Sequence, residues 1–307
     1  KVYKIYKPPP KKTTLMNLKH IFLSTALATL SLAAPAQDKL IGSVAWPANE
    51  AGLYDIDLQS SKLSPRLLEQ EMFKIQSGGA FGQAAVRRDN LYYITNFFTE
   101  GTTIRIYHAV YDLNTNKRVW IKRNGLVAAT PLDMTYCEAD GKTYGCFHHP
   151  VGLGEAWVFG TLNLETWQVT EIKTLTQKWL ALAAAPDGTL YAINDDGLLL
   201  KVDKATGNTQ LIAQTDAPVY YESSACISAD GKRMYLSVTD MLGGTAVLTI
   251  DLANGATIGQ SSFSNEEEVL GLVLAEPTPA TTAPSPAIGF EVPTCPTNTA
   301  TATFTMP

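Results

Sequence analysis

"YAINDDGLLLKVDKATGN", residues 191–208, holds two readings. Asp195, Asp196 and Asp203 crowd around Gly197, as acids do in a calcium loop. The same letters also spell the turns of a β-meander, where Asp and Gly satisfy tight backbone bends. The choice between them rests on whether other parts of the chain repeat the pattern.

They do. A turn pair followed by an aromatic-rich β-run occurs as "DNLYYIT" at 89, "DGKTYGCF" at 140, "DGTLYAI" at 187 and "DGKRMYLSV" at 230. Each is followed by an apolar residue, an Asp or Asn and a polar turn: "YDLNTNK" at 111, "LNLETWQ" at 162, "VDKATGN" at 202 and "IDLANGA" at 250. A weaker copy opens the series with "DKLIGSV" at 38 and "IDLQSSK" at 56. A further apolar run precedes each turn pair: "FGQAAV" at 81, "LDMTYC" at 132, "WLALAAA" at 179 and "SSACIS" at 223. Each unit thus predicts four short strands, the content of one propeller blade.

The first unit lacks its leading strand, and a surplus strand of that type, about 267–275, stands after the last unit. Pairing the two closes a ring and leaves neither edge open. The expected fold is therefore all-β: a five-bladed β-propeller over 37–276, closed by its C-terminal strand. An open array of hairpins would leave apolar strands without partners.

The flanks read differently. From Met16, "MNLKHIFLSTALATLSLAAPAQ" has a short basic start, an apolar run and Ala34-Pro35-Ala36 as a cleavage site. Residues 16–36 are expected to be a secretory signal peptide, with Gln37 the first mature residue. Residues 1–15 are expected to be translated leader upstream of the natural start, with a long basic n-region as the alternative. "PTPATTAPSPA" gives a Pro/Thr-rich linker at 277–287. Residues 288–307 begin an alternating β-pattern and read as the start of an incomplete β-sandwich, so further C-terminal domains are expected.

Six of the 24 basic residues and none of the 29 acidic residues precede Gln37. The chain from Gln37 therefore carries 18 basic against 29 acidic residues, a net charge of −11, which argues against a nucleic-acid partner. No membrane span is expected in the mature part. The spacing of Cys137, Cys146, Cys226 and Cys295 matches no zinc pattern. Cys137 and Cys146 flank the turn at Asp140-Gly141. A cross-strand bridge and two free core thiols both remain open, and a two-residue turn would leave the pair diagonal.

The unit "APDGTLYAIN…LLLKVDKATGNTQLIA" resembles the repeat of the quinoprotein-like and six- or seven-bladed propellers. The order of signal peptide, propeller, Pro/Thr linker and "TATFTMP" resembles exported bacterial surface proteins in which a propeller precedes fibronectin type III-like modules. The resemblance implies an exported protein, periplasmic, at the cell surface or secreted, in a binding or scaffold role. The blade count departs from it, at five rather than six to eight.

In propellers, ligands meet the face formed by the connections between blades and the loops between second and third strands. Here that face would carry Trp46, Phe97, Phe98, His148, His149, Trp179, Tyr220 and Tyr221. Flat rings with polar tips suit a glycan or a polypeptide partner. The alternative is that Trp179 and Tyr220 plug the channel or pack between blades. His148 and His149 point to opposite faces of a strand, which disfavours a shared metal. Asn194, Asp195 and Asp196 are weak candidates for Ca²⁺, since the EF-hand spacing and its closing glutamate are absent. A solvated acidic turn is the favoured reading, and no cofactor is expected. An enzyme reading, a carbohydrate-active hydrolase or lyase, would draw on Asp133, Glu155 and Glu222 as paired carboxylates. No nucleophile motif or phosphate loop accompanies them. A non-catalytic binding module is the expectation.

Overall fold

The apolar runs ahead of each turn pair become the innermost strands of five sheets. We describe the protein from a computed structural model, which covers residues 38–47, 49–73, 81–100, 103–124, 130–151, 154–219, 223–239, 245–263, 267–276, 288–291 and 301–304. All belong to the unit Asp38–Pro307.

The chain runs through β1 (Leu40–Trp46), β2 (Gly52–Asp57), β3 (Lys62–Leu68) and a single helical turn α1 (Gln70–Phe73). Blade 2 follows as β4 (Phe81–Arg88), β5 (Leu91–Glu100), β6 (Thr103–Asp112) and β7 (Lys117–Asn124). Blade 3 is β8 (Thr130–Cys137), β9 (Lys142–Val151), β10 (Gly154–Leu162) and β11 (Val169–Leu175). Blade 4 is β12 (Trp179–Ala184), β13 (Leu190–Asn194), β14 (Leu198–Val202) and β15 (Thr209–Gln214). Blade 5 is β16 (Ser224–Ile227), β17 (Arg233–Thr239), β18 (Thr245–Asp251) and β19 (Thr257–Ser262). The next strand, β20 (Glu268–Leu274), returns to blade 1, whose sheet order is β20-β1-β2-β3. Beyond it, β21 (Ile288–Glu291) pairs with β22 (Thr301–Phe304) as a separate two-stranded ribbon.

The five inner strands β20, β4, β8, β12 and β16 contact one another in a closed cycle. The protein is a five-bladed β-propeller closed by its C-terminal strand. The burial gradient explains why the pattern was readable. Inner β12 is buried at five of six positions, whereas outer β15 has no fully buried residue. Inner strands therefore read as continuous apolar runs and outer strands as mixed ones. Five apolar clusters fill the five seams between neighbouring blades.

The two sequence marks are the turns at one end of the blades. At the first mark, Asp89, Gly141, Gly188 and Gly231 occupy positive φ, from 56° to 82°. At the second, Asp57, Asp112, Asn163, Asp203 and Asp251 each accept a backbone N–H two residues on. The residue four positions on is left-handed every time: Ser61, Asn116, Trp167, Gly207 and Gly255.

These second turns also dock on the outer strand of the preceding blade. Arg66 of β3 donates to the Leu113 carbonyl and Asn116 Oδ1, and Lys173 of β11 donates to Asn208 Oδ1. A Cβ on Gly255 would lie 2.7 Å from Ala213 Cβ of β15. In blade 3 the turn carries Trp167, whose ring stacks on Trp120 of β7 and His108 of β6.

Every outer strand skips one residue in its pairing, at Arg66, Val119, Ile172, Ile212 and Ile258. Such bulges twist an edge away from further pairing. The Asp140-Gly141 turn differs from the two-residue expectation. Cys137 pairs with Lys142, and four residues close the loop. Cys146 instead lies opposite Asp133, so Cys137 and Cys146 are buried free thiols; Cys226 is free as well.

Candidate functional site

The inter-blade connections and the loops β1–β2, β5–β6, β9–β10, β13–β14 and β17–β18 share one end of the blades. This is the face on which the aromatic residues were expected.

Trp46 closes β1 in register with Glu268 of β20, and its side chain is 43% exposed. Nearby, Tyr54 donates to the Glu50 carbonyl at 2.6 Å. Burial raises the Tyr54 pKa, and Glu50 and Glu267 push it further. An open indole thus stands at the end of β1, on the rim of this face.

At blade 3, His148 is half-buried and its ring lies 4.7 Å from that of Trp157, over which Lys178 Nζ sits at 5.3 Å. Trp157 was absent from the sequence-based set. Its place on β10, the third strand of the blade, carried no mark, and only strand pairing with His148 brings it in. Trp179, expected on the ligand face with inter-blade packing as the alternative, is 4% exposed and packs against Phe159 in the seam between blades 3 and 4. Phe97, Phe98, His149 and Glu155 lie on strands whose pairing is defined. Their side chains, together with all of Tyr220, Tyr221 and Glu222, lie outside the described residues.

Asn194 is wholly buried and organises its own loop. Its Oδ1 accepts from the amides of Asp196 and Leu198, and its Nδ2 donates to Gln177. Asp196 accepts from Gln177 Nε2. The polar atoms of Asn194 are thus used within the protein. Among the described residues, no three His, Cys, Asp or Glu side chains are grouped to hold a metal.

Asp133 lies on inner strand β8 and has no exposed surface. One oxygen accepts from the amides of Leu182 and Ala225, on the inner strands of blades 4 and 5, at 2.9 and 3.1 Å. The other accepts from Ser224 Oγ, which itself accepts from the Leu272 amide of β20. Burial pushes the Asp133 pKa well above the carboxylate range, against the opposing pull of these donors. Asp133, one of the three carboxylates the enzyme alternative would draw on, is thus an axial clamp joining blades 1, 3, 4 and 5.

A second polar group holds α1 over blades 1 and 2. Gln83 Nε2 donates to the Phe73 carbonyl and Asn96 Nδ2 to that of Met72, satisfying the helix end. Ser43 Oγ donates to Gln83 Oε1 at 2.6 Å.

At the opposite mouth of the axis, the ends of the five inner strands enclose a cavity of about 80 Å³ whose lining includes Arg87, Tyr136, Glu138, Cys226 and Glu276. Burial raises the Glu138 pKa and lowers that of Arg87. No single stretch of sequence marks this mouth, because its residues come from five separate repeats.

Fold and geometry define a five-bladed propeller whose axis holds buried, hydrogen-bonded polar side chains. No family profile and no curated protein sequence matches the chain. Solved structures are similar to it. TolB from Acinetobacter baumannii is 16% identical, with a TM-score of 0.41 over 74% of this chain and 53% of that one. A putative 6-phosphogluconolactonase from Bacteroides fragilis is 10% identical, with a TM-score of 0.40 over 77% and 97%. A quinonprotein alcohol dehydrogenase-like protein from Bacteroides thetaiotaomicron is 11% identical, with a TM-score of 0.39 over 77% and 78%. The chain spans about half the length of the TolB chain it matches. Among the described residues no helix is long and apolar enough to cross a membrane.

Proposed function

We propose that the protein is an exported, non-catalytic binding or scaffold module that recognises a glycan or polypeptide through its loop face. The observation that carries this reading is the open indole of Trp46 on the rim of that face. A flat apolar ring with a polar N–H tip suits a sugar ring with hydroxyls, or a peptide side chain with a polar tip. Export, to the periplasm, the cell surface or the medium, belongs to the same proposal and rests on the leader at 16–36.

A hydrolase or lyase is the second reading. It needs two carboxylates facing a substrate, and the sealed position of Asp133 favours the binding reading over it.

Arrays of glycans and peptides probed with the purified protein test the proposal, followed by product analysis on every ligand bound. Binding without turnover, weakened about tenfold by Trp46→Ala, is the expected result. Turnover of a bound glycan, or binding indifferent to Trp46→Ala, would overturn it.

A further inference from the structure

A second, separate surface lies on the outer edge of blade 2. Strand β7 reads "KRVWIKRN", with four cations in eight residues of a chain that is otherwise acidic. The bulge at Val119 decides how they are displayed. Lys117 pairs with Asp112, Trp120 with Val110 and Lys122 with His108. Those three partners alternate along β6, so they share one face of the sheet. Without the bulge, Lys117 would fall on the opposite face from Trp120 and Lys122. With it, one face presents lysine, tryptophan and lysine in line. The two lysines are four residue steps apart, about 13 Å by strand geometry. Arg118 lies on the other face, occupied by Glu69 and Glu71.

The tryptophan is held as a rigid plate. Its ring is parallel to that of Trp167 within 3°, at 6.0 Å between centroids, and Trp167 stacks in turn on His108 at 4.2 Å. Trp167 and His108 are each 7% exposed, while Trp120 is 39% exposed and Lys117 and Lys122 stand in solvent. The stack fixes the plate from beneath and leaves area open above it.

We infer that this face binds an acidic oligosaccharide. The apolar side of a sugar ring would lie on Trp120, and carboxylate groups of flanking sugars would meet Lys117 and Lys122. Rings and charges alternate along such a chain as they alternate along β7. Screening over about 8 Å leaves the local cations effective despite the net charge elsewhere. A nucleic acid or a membrane surface draws its affinity from many cations at once, and two lysines around one indole are too sparse for either. The proposal is independent of the loop-face reading, since Trp120 is on an outer strand and Trp46 on the rim.

The test titrates the purified protein with a panel of acidic oligosaccharides (oligogalacturonate, oligomannuronate and chondroitin fragments), following heat and tryptophan fluorescence. Methyl-esterified oligogalacturonate, an RNA oligonucleotide and anionic phosphatidylglycerol vesicles run in parallel. An acidic oligosaccharide is expected to bind, more weakly in salt, with its uncharged ester several-fold weaker. Trp120→Ala should weaken binding about tenfold. The double variant Lys117→Gln/Lys122→Gln, at exposed positions that leave the stack intact, should weaken it several-fold and flatten the salt dependence. Trp46→Ala should leave it unchanged. The inference is overturned by binding to none of the panel, by equal binding of acid and ester, or by the lysine variant binding as the wild type. It is also overturned if the loss tracks Trp46, or if only RNA or vesicles bind.

Discussion

Asp133 Oδ2 accepts the backbone N–H of Leu182 at 2.9 Å, across the seam between blades 3 and 4. The same oxygen takes the Ala225 amide of blade 5. One side chain therefore satisfies amides from two neighbouring inner strands at a position with no exposed surface. Asp133→Asn can keep its oxygen on both amides and turns its NH₂ toward Ser224 Oγ, which must then give up its donation. It should destabilise the fold by about 1 kcal/mol, read by urea denaturation. The folded-state pKa is raised, so the native protein holds its proton where the unfolded chain has lost it. The wild type is thus expected to lose stability as pH rises from about 4 through that raised pKa, and Asp133→Asn should remove this slope.

His108 supplies the opposite slope. Burial, assisted by the charge of Lys122, lowers its pKa from 6.5 to about 4. The unfolded chain then binds a proton that the native state refuses. This stabilising contribution is present above pH 6.5 and is lost as pH falls toward 4, at most about 3 kcal/mol by linkage. In the Asp133→Asn background, where the opposing slope is absent, adding His108→Gln should bring the denaturation midpoints at pH 5 and pH 7 closer together. An unchanged gap would exclude His108 as the source.

Ring closure rests on Gly271, a left-handed residue in β20 with φ of 59°. A Cβ there would lie 2.4 Å from Tyr92 Oη, which donates to the Gly271 carbonyl at 2.8 Å. Gly271→Ala is expected to cost about 3 kcal/mol or more, combining overpacking with backbone strain. Tyr92→Phe alone should cost about 1 kcal/mol, and it should relieve part of the Gly271→Ala penalty in the double variant.

The docked turns give a paired test. Gly207 and Trp167 hold equivalent left-handed positions, but a Cβ on Gly207 meets Lys173 Cβ at 2.8 Å. Gly207→Ala should destabilise by about 1–2 kcal/mol. Trp167→Gly relieves its own backbone yet empties the seam over His108, so a loss of about 3–5 kcal/mol is expected in thermal unfolding. A stabilised Trp167→Gly protein would mean that the stack contributes less than the strain it imposes.

The opening stretch, residues 191–208, shows where sequence and structure each had the deciding voice. Period alone settled the five blades, the closing strand and the places of both turns, because Asp, Asn and Gly at these turns answer local backbone demands. Asp203 and Gly207 are what their sister positions implied. Asn194, singled out as a candidate ligand, is instead the organiser of its loop, since its partner Gln177 lies 17 residues earlier. Asp133 could be named from sequence only as one of three candidate carboxylates, and its meaning required Leu182 and Ala225, 49 and 92 residues away. The alignment of Lys117, Trp120 and Lys122 likewise waits on one bulge. Local chemistry and repetition set the elements; convergence at the axis, across the seams and along the edges joins residues from different repeats, and only tertiary packing determines which of them meet.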